Sequence, residues 1–250
     1  MNTRAPISAA AATMPGSSGA VSVWLALPQS INFFDAAQLD EAERERFATR
    51  RHPRRRAEFA VSRALMNHLR VPADAALSLS HSDGLAAVVL GPENVAVGID
   101  LERHKSRDIL SIARFAFAPA ESAALAALPE AQRLRHFYTL WVVKEALAKA
   151  LPLSLADALA HCVIVGDEHG WHGTLPTTRP WRVFVFEPQA DLSLAVACIG
   201  TAVGDLRIES SQWPPARVAR WPLVATIVSD ARIAGATNSD SGITCGNTAD

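Results

Sequence analysis

The sequence predicts an α+β protein built from two similar halves. Strand-like runs bracket helical ones instead of alternating with them one for one. The order strand, helix, strand hairpin in residues 20–92 is echoed by strand, helices, strand hairpin in residues 93–205. Between the halves stands Gly91-Pro92, a turn signal placed just before an acidic strand.

With 250 residues the chain can bury a core as one large or two small domains. A formal net charge of −1 supplies no global attraction for nucleic acid or a membrane surface, and neither is expected as a partner. Cys162, Cys198 and Cys245 are odd in number and widely spaced, which predicts a reducing, cytoplasmic compartment and no disulfide framework. No apolar run reaches the length of a transmembrane helix. Residues 1–19 are rich in Ala, Ser and Gly without a continuous apolar core, so a disordered tail is expected rather than a signal peptide, and Met14 offers a second start. Residues 206–250 are expected to form a C-terminal extension, disordered from about residue 235, where Ser, Thr, Asn, Asp and Gly take over.

In the first half, Ala20–Leu27 reads as a strand ended by Pro28. A charged helix follows from Leu39 to about Phe47. An amphipathic helix then runs from about Arg54 to Leu69, with Phe59, Leu65, Met66 and Leu69 inward. Eight arginines lie between Arg44 and Arg63. They suit either a solvated helical face or an anion site, because guanidinium forks grip phosphate with two hydrogen bonds. Nucleic acid fits less well, since no aromatics are interleaved. Leu77–Ser80 predicts a strand running into a polar turn, His81-Ser-Asp-Gly84, with Leu85–Leu90 as its hairpin partner. By itself His81 reads as a surface histidine.

The second half opens on Val95–Glu102. Its alternation puts Ile99 and Leu101 on one face and the carboxylates of Asp100 and Glu102 side by side on the other, in a half-buried strand. Helices are expected over Asp108–Phe117, Pro119–Leu128 and Arg133–Leu151. In the last, Leu134, Phe137, Leu140, Trp141, Leu147 and Ala148 recur at helical spacing, and Pro152 ends the run. Glu145 and Lys149 share one face of it, with Trp141 a turn behind. Alone they read as an ordinary helix ion pair. Ala160–Val165 and Trp181–Phe186 read as strands separated by a Gly-rich loop, and Leu192–Cys198 as a final strand. His161, Cys162, His169 and His172 match no zinc-finger spacing. Past Asp205, Pro214, Pro215 and Pro222 interrupt the pattern, while Trp213 and Trp221 predict some packing.

Three motifs stand in order: Ser80-His81-Ser82; Gly98-Ile99-Asp100-Leu101-Glu102; and Trp141-Val-Val-Lys144-Glu145-Ala146 with Lys149. In this content and spacing the chain resembles the Sfp-type 4′-phosphopantetheinyl transferases over about residues 20 to 200. The stretch Arg56 to Leu65 is similar to the family's first half. The resemblance implies two α+β halves related by a pseudo-twofold, with the active site between them. It implies transfer of phosphopantetheine from coenzyme A to a serine of an apo acyl or peptidyl carrier protein, in the cytoplasm, by a monomer. Adenosine 3′,5′-bisphosphate is the by-product. Mg²⁺ would be held by Asp100, Glu102 and Glu145; Glu145, Lys149 and His81 would be catalytic; Arg56, Arg63, Ser80, His81 and Lys149 would bind coenzyme A.

The residue chemistry suits that reaction. Clustered carboxylates repel one another unless a cation or a proton intervenes, and Mg²⁺ prefers oxygen ligands. Lys149 suits an oxygen that gains negative charge as a phosphate bond breaks. The proton acceptor could be Glu145 or a bound water. The chain departs from the family where Arg70-Val-Pro-Ala-Asp-Ala-Ala replaces a longer segment bearing Gly-Lys-Pro, and where Ser78 replaces an Asn. That loss favours, as an alternative, a non-catalytic carrier-protein-binding module of the same fold. A third reading, another Mg²⁺-dependent phosphotransferase or hydrolase, is weakened because the chain has no Gly-x-x-x-x-Gly-Lys-(Ser/Thr) loop of the kind nucleotide triphosphatases carry.

Overall fold

Alternating and apolar runs become two sheets in the computed structural model, which describes residues 20–71, 75–167, 170–201, 203–214 and 221–229. The tails expected at residues 1–19 and from 235 lie outside the described residues, as do His169 and Cys245. The first sheet holds β1 (Ala20–Ala26), β2 (Leu77–Ser82), β3 (Leu85–Leu90) and β9 (Arg207–Trp213), in the order β2-β3-β1-β9. The second holds β4 (Ala96–Arg103), β5 (Val163–Asp167), β6 (Gly170–Thr174), β7 (Trp181–Gln189), β8 (Leu192–Ile199) and β10 (Leu223–Ser229), in the order β4-β8-β7-β10-β6-β5. The helices are α1 (Glu41–Thr49), α2 (Pro53–Leu69), α3 (Ile109–Ala116), α4 (Pro119–Ala127), α5 (Glu130–Ala150) and α6 (Leu155–His161). The class is α+β, as the sequence predicts.

Strand periodicity explains the layering. On β3, Leu85, Ala87 and Val89 enter a core between the two sheets, while Ala86, Val88 and Leu90 meet α2 through Val61, Ala64 and Leu65. From the second sheet, Ile99, Leu101, Phe184, Leu194 and Val196 fill the same inter-sheet core. The opposite face of that sheet carries Val183, Val185, Ala195 and Ala197 against Phe137, Leu140, Val143 and Leu147 of α5. The stack is therefore helix, sheet, sheet, helix. Both sheets are buried on two faces, which is why β3 and β8 read as continuous apolar runs.

Several elements depart from the sequence expectation. Strand β2 continues through His81 and Ser82, and the turn shrinks to Asp83-Gly84, whose φ values of 50° and 78° suit a tight hairpin. Ala160 and His161 end helix α6 instead of opening a strand; Ser154 starts that helix by accepting the Asp157 amide at 3.1 Å. The expected Gly-rich loop forms the β5–β6 hairpin. Past Asp205 the chain adds one strand to each sheet: β9 runs parallel to β1, and β10 lies between β7 and β6. Trp213 and Trp221 are buried, the first beside α2 and the second between the sheets.

One contact positions the site. Helix α5 lies so close on β4 that a Cβ built at Gly98 would come 2.0 Å from the Ala146 carbonyl oxygen and 2.8 Å from the Ala150 amide nitrogen. Both obstacles are backbone, so the helix itself would have to move. Gly98→Val is expected to cost about 1–3 kcal/mol of stability and to move Glu145 and Lys149 away from Asp100. Chemical denaturation measures the first effect. Unchanged stability would mean that the helix can shift without penalty.

Candidate active site

The site forms at the seam where β2, an edge of the first sheet, runs beside β4, an edge of the second. Alternation puts Ser78, Ser80 and Ser82 on the β2 face turned to β4. Ser78 Oγ accepts the Ile99 amide at 3.2 Å. Ser80 donates to Asp100 Oδ1 at 2.8 Å. Ser82 donates to Glu102 Oε2 at 2.9 Å and accepts the Arg103 amide at 3.3 Å. The serine alternation thus serves as a row of hydrogen bonds across the seam and orients both strand carboxylates.

Asp100 is buried, where the sequence suggested a half-exposed face. From α5, Lys149 Nζ reaches Asp100 Oδ1 at 2.9 Å and the Ile99 carbonyl at 2.8 Å. Lys149 is therefore paired with the strand aspartate, not with Glu145 as a simple helix pair would be. The other oxygen, Asp100 Oδ2, is buried without a hydrogen-bond partner. Glu145 feels both strand carboxylates. Its own carboxyl is held above the usual range by burial and then by the Asp100 charge, with Lys149 opposing and Glu102 adding. Burial likewise raises the Glu102 carboxyl, aided by Asp100 and opposed by the Ser82 hydrogen bond and by Arg107 and Lys105. Glu102 and Glu145 are thus both raised in the field of Asp100, whose orphaned oxygen lies beside them, and carboxylate oxygens are the hard donors that a divalent cation takes. Among the described residues, no three His, Cys, Asp or Glu side chains stand close enough to form a ready-made metal cage.

Beside this cluster opens a cleft of about 530 Å³ lined by His52, Arg54, Arg55, Glu58, His81, Ser82 and Glu102. The start of α2 thus supplies arginines to the site, but they are Arg54 and Arg55. Arg56 lies over the Phe47 ring at 4.0 Å. Arg63 pairs with Glu43 at 2.6 Å and lies over Phe59 at 5.0 Å, a contact that fastens α1 to α2. Neither Arg56 nor Arg63 lines the cleft. His81 does, with Nδ1 3.6 Å from Glu58. Arg54 spans from Glu58 Oε1, at 3.0 Å, to Asp83 Oδ1, at 2.6 Å. Asp83 also pairs with Lys105 of the second half at 2.9 Å. The hydrogen bond to Glu58 is the main reason the Arg54 guanidinium is held above its usual range.

Sequence reasoning missed two supports of the site. Lys144, in the motif beside Glu145, is fully buried and pairs with the equally buried Glu121 of α4 at 2.9 Å. Its ammonium also donates to the carbonyls of Leu159 and Cys162, and Glu121 accepts the amides of Ala118 and Ile164. The signal was its position on the apolar face of α5 between Leu140 and Leu147. Tyr138 is buried too, and its hydroxyl accepts the Lys105 amide at 3.0 Å, fixing the end of β4.

Residues 96–197, from β4 to β8, match the model of the 4′-phosphopantetheinyl transferase superfamily, and this segment is similar to that superfamily. The chain is also similar to the 4′-phosphopantetheinyl transferase HetI of Nostoc sp., with 38% identity over 124 residues. That alignment spans 49% of this chain and 51% of HetI, so about half of the relative's length is matched. No helix among the described residues is long and apolar enough to cross a membrane.

Proposed function

We propose that this protein transfers the 4′-phosphopantetheine group of coenzyme A to a serine hydroxyl of an apo carrier protein, leaving adenosine 3′,5′-bisphosphate. The observation that carries the proposal is the convergence of Asp100, Glu102, Glu145 and Lys149 at the β2–β4 seam, beside a basic cleft. Pseudo-twofold halves with the site between them, a monomer, and a cytoplasmic setting complete the reading. The buried thiols of Cys162 and Cys198, pushed up to about 11 and about 12 by burial, suit a reducing compartment.

Asp100, Glu102 and Glu145 would hold Mg²⁺. When bound, that ion would neutralise pyrophosphate charge as a hard Lewis acid. Arg54, Arg55 and His81 line the cleft where the phosphates of coenzyme A would lie, in place of the missing Gly-Lys-Pro segment. The serine oxygen forms a bond to the phosphorus that carries pantetheine. The bond from that phosphorus to the bridging oxygen breaks, and the bisphosphate leaves with the electron pair. Glu145 or a bound water would take the hydroxyl proton. Lys149 lies beside Asp100 and is placed to stabilise the leaving oxygens.

The test is to incubate the protein with Mg²⁺, coenzyme A and a panel of apo carrier proteins. A carrier gaining the mass of phosphopantetheine is the expected result. Carrier binding without mass gain, across a panel that a control transferase modifies, overturns it in favour of a non-catalytic binding module. Within this reading Lys149→Ala should lower kcat by about a hundredfold, the scale for losing one charge-stabilising donor. Steady-state transfer at saturating coenzyme A and Mg²⁺ measures it. Lys149→Arg should rescue poorly, because a planar fork does not replace a compact ammonium. Near-normal turnover in folded Lys149→Ala would reduce Lys149 to a structural partner of Asp100.

A further inference from the structure

We infer that Glu58 is a positioning residue of the cleft, a buried carboxylate that sets Arg54 and His81 toward a phosphate-bearing ligand. The inference rests on the transferase reading for the identity of that ligand. Glu58 sits one helical turn after Arg54 on α2, and such pairs on a surface contribute little. This pair differs in burial: the Glu58 side chain is 6% exposed and that of Arg54 is 49% exposed. The carboxylate is inside and the guanidinium reaches out beside the cleft. A buried carboxylate needs polar partners, and Glu58 has the Arg54 guanidinium and the His81 imidazole. Oε1 accepts from Arg54 Nε at 3.0 Å, and Oε2 faces His81 Nδ1 at 3.6 Å.

These contacts define orientation. At 3.6 Å the histidine contact is too long for a hydrogen bond. Its effect is to turn Nδ1 toward α2 and to leave Nε2 as the nitrogen available to a ligand. Arg54 is held at both ends, by Glu58 through Nε and by Asp83 through the terminal nitrogen at 2.6 Å. A pre-set guanidinium and imidazole lose less freedom on binding an anion than free side chains do. Hence Glu58 acts through its two neighbours.

The experiment is a double-mutant cycle read as the Kd for coenzyme A, using Glu58→Gln, His81→Ala and the double variant, with melting curves alongside. Glu58→Gln keeps size and an acceptor for Arg54 but removes the charge. It should weaken coenzyme A about tenfold, the scale of one charge-assisted contact. In transfer assays the loss should fall on KM more than on kcat. With His81 already absent, the same substitution should cost at least about threefold less, because residues in one network couple. Glu58→Asp keeps the charge and should bind between wild type and Glu58→Gln; it carries the test if the Gln variant fails to fold. Losses that multiply independently, or a wild-type Kd in Glu58→Gln, overturn the inference. A wild-type protein that binds no coenzyme A fails the transferase reading instead. The same variants then judge Glu58 with inorganic pyrophosphate as the probe.

Discussion

Lys144→Met is expected to lower the unfolding free energy by about 3–5 kcal/mol, the usual cost of breaking a buried ion pair by removing one partner. Lys144 and Glu121 are each 0% exposed, so the abandoned carboxylate cannot reach water. Methionine fills the volume, which keeps a cavity from dominating the loss. The carboxylate also accepts two backbone amides, from Ala118 and Ile164, and so stays fixed in place. Neutralising it as well should restore part of the stability: Lys144→Met with Glu121→Gln removes the charge while keeping an acceptor. Urea denaturation of the two variants measures both effects. A loss below about 1 kcal/mol, the scale of an exposed pair, would mean that water reaches the pair. The pair matters for the site because it binds α5 to α4 and to the turn after α6, one residue from Glu145.

What the sequence made legible follows from how local each signal is. Ile99 and Leu101 alternate with Asp100 and Glu102, so the acidic face of β4 could be assigned before its partners were known. Helix α5 was legible from Phe137, Leu140 and Leu147, all of which enter the core. Strand β9 was not. Its residues Arg207-Ile-Glu-Ser-Ser-Gln-Trp213 look polar because it is an edge strand, and it pairs with β1 from the far end of the chain. The arginine cluster was legible as a cluster, but the face each arginine occupies was not. Arg56 and Arg63 resemble Arg54 and Arg55 in sequence; Phe47, Phe59 and Glu43, brought by α1 and the helix itself, draw the first two off the cleft. Ser78, Ser80 and Ser82 carried a readable alternation whose meaning depended on the second sheet's edge. Lys144 illustrates the same limit: its neighbours in sequence mark it as inward, yet Glu121 of another helix is what makes burial tolerable.

Under the proposed transferase function, the largest loss of activity is expected from Asp100→Asn. Asp100 stands where the strand, the helix and the first half meet: it accepts from Ser80 at 2.8 Å and from Lys149 at 2.9 Å, and its Oδ2 is buried with no partner. Asparagine keeps the shape and an oxygen for Ser80 and Lys149, but it removes the negative charge a divalent cation needs. Lewis-acid stabilisation of a phosphoryl transition state amounts to several kcal/mol. At about 1.4 kcal/mol per tenfold, transfer should therefore fall at least about a thousandfold. The cost in stability should be small, because neutralising Asp100 relieves its repulsion of Glu102 and Glu145 while Lys149, 30% exposed, can turn to water. A second readout separates the metal from the fold. A cation that binds the folded protein alone raises its melting temperature, so Mg²⁺ should stabilise the wild type and leave Asp100→Asn unmoved. Assays at limiting Mg²⁺ with one apo carrier, run beside melting curves with and without the ion, give both answers. A folded Asp100→Asn protein with near-normal transfer and a wild-type response to Mg²⁺ would remove Asp100 from the metal set and leave it as the partner that holds Lys149 in place.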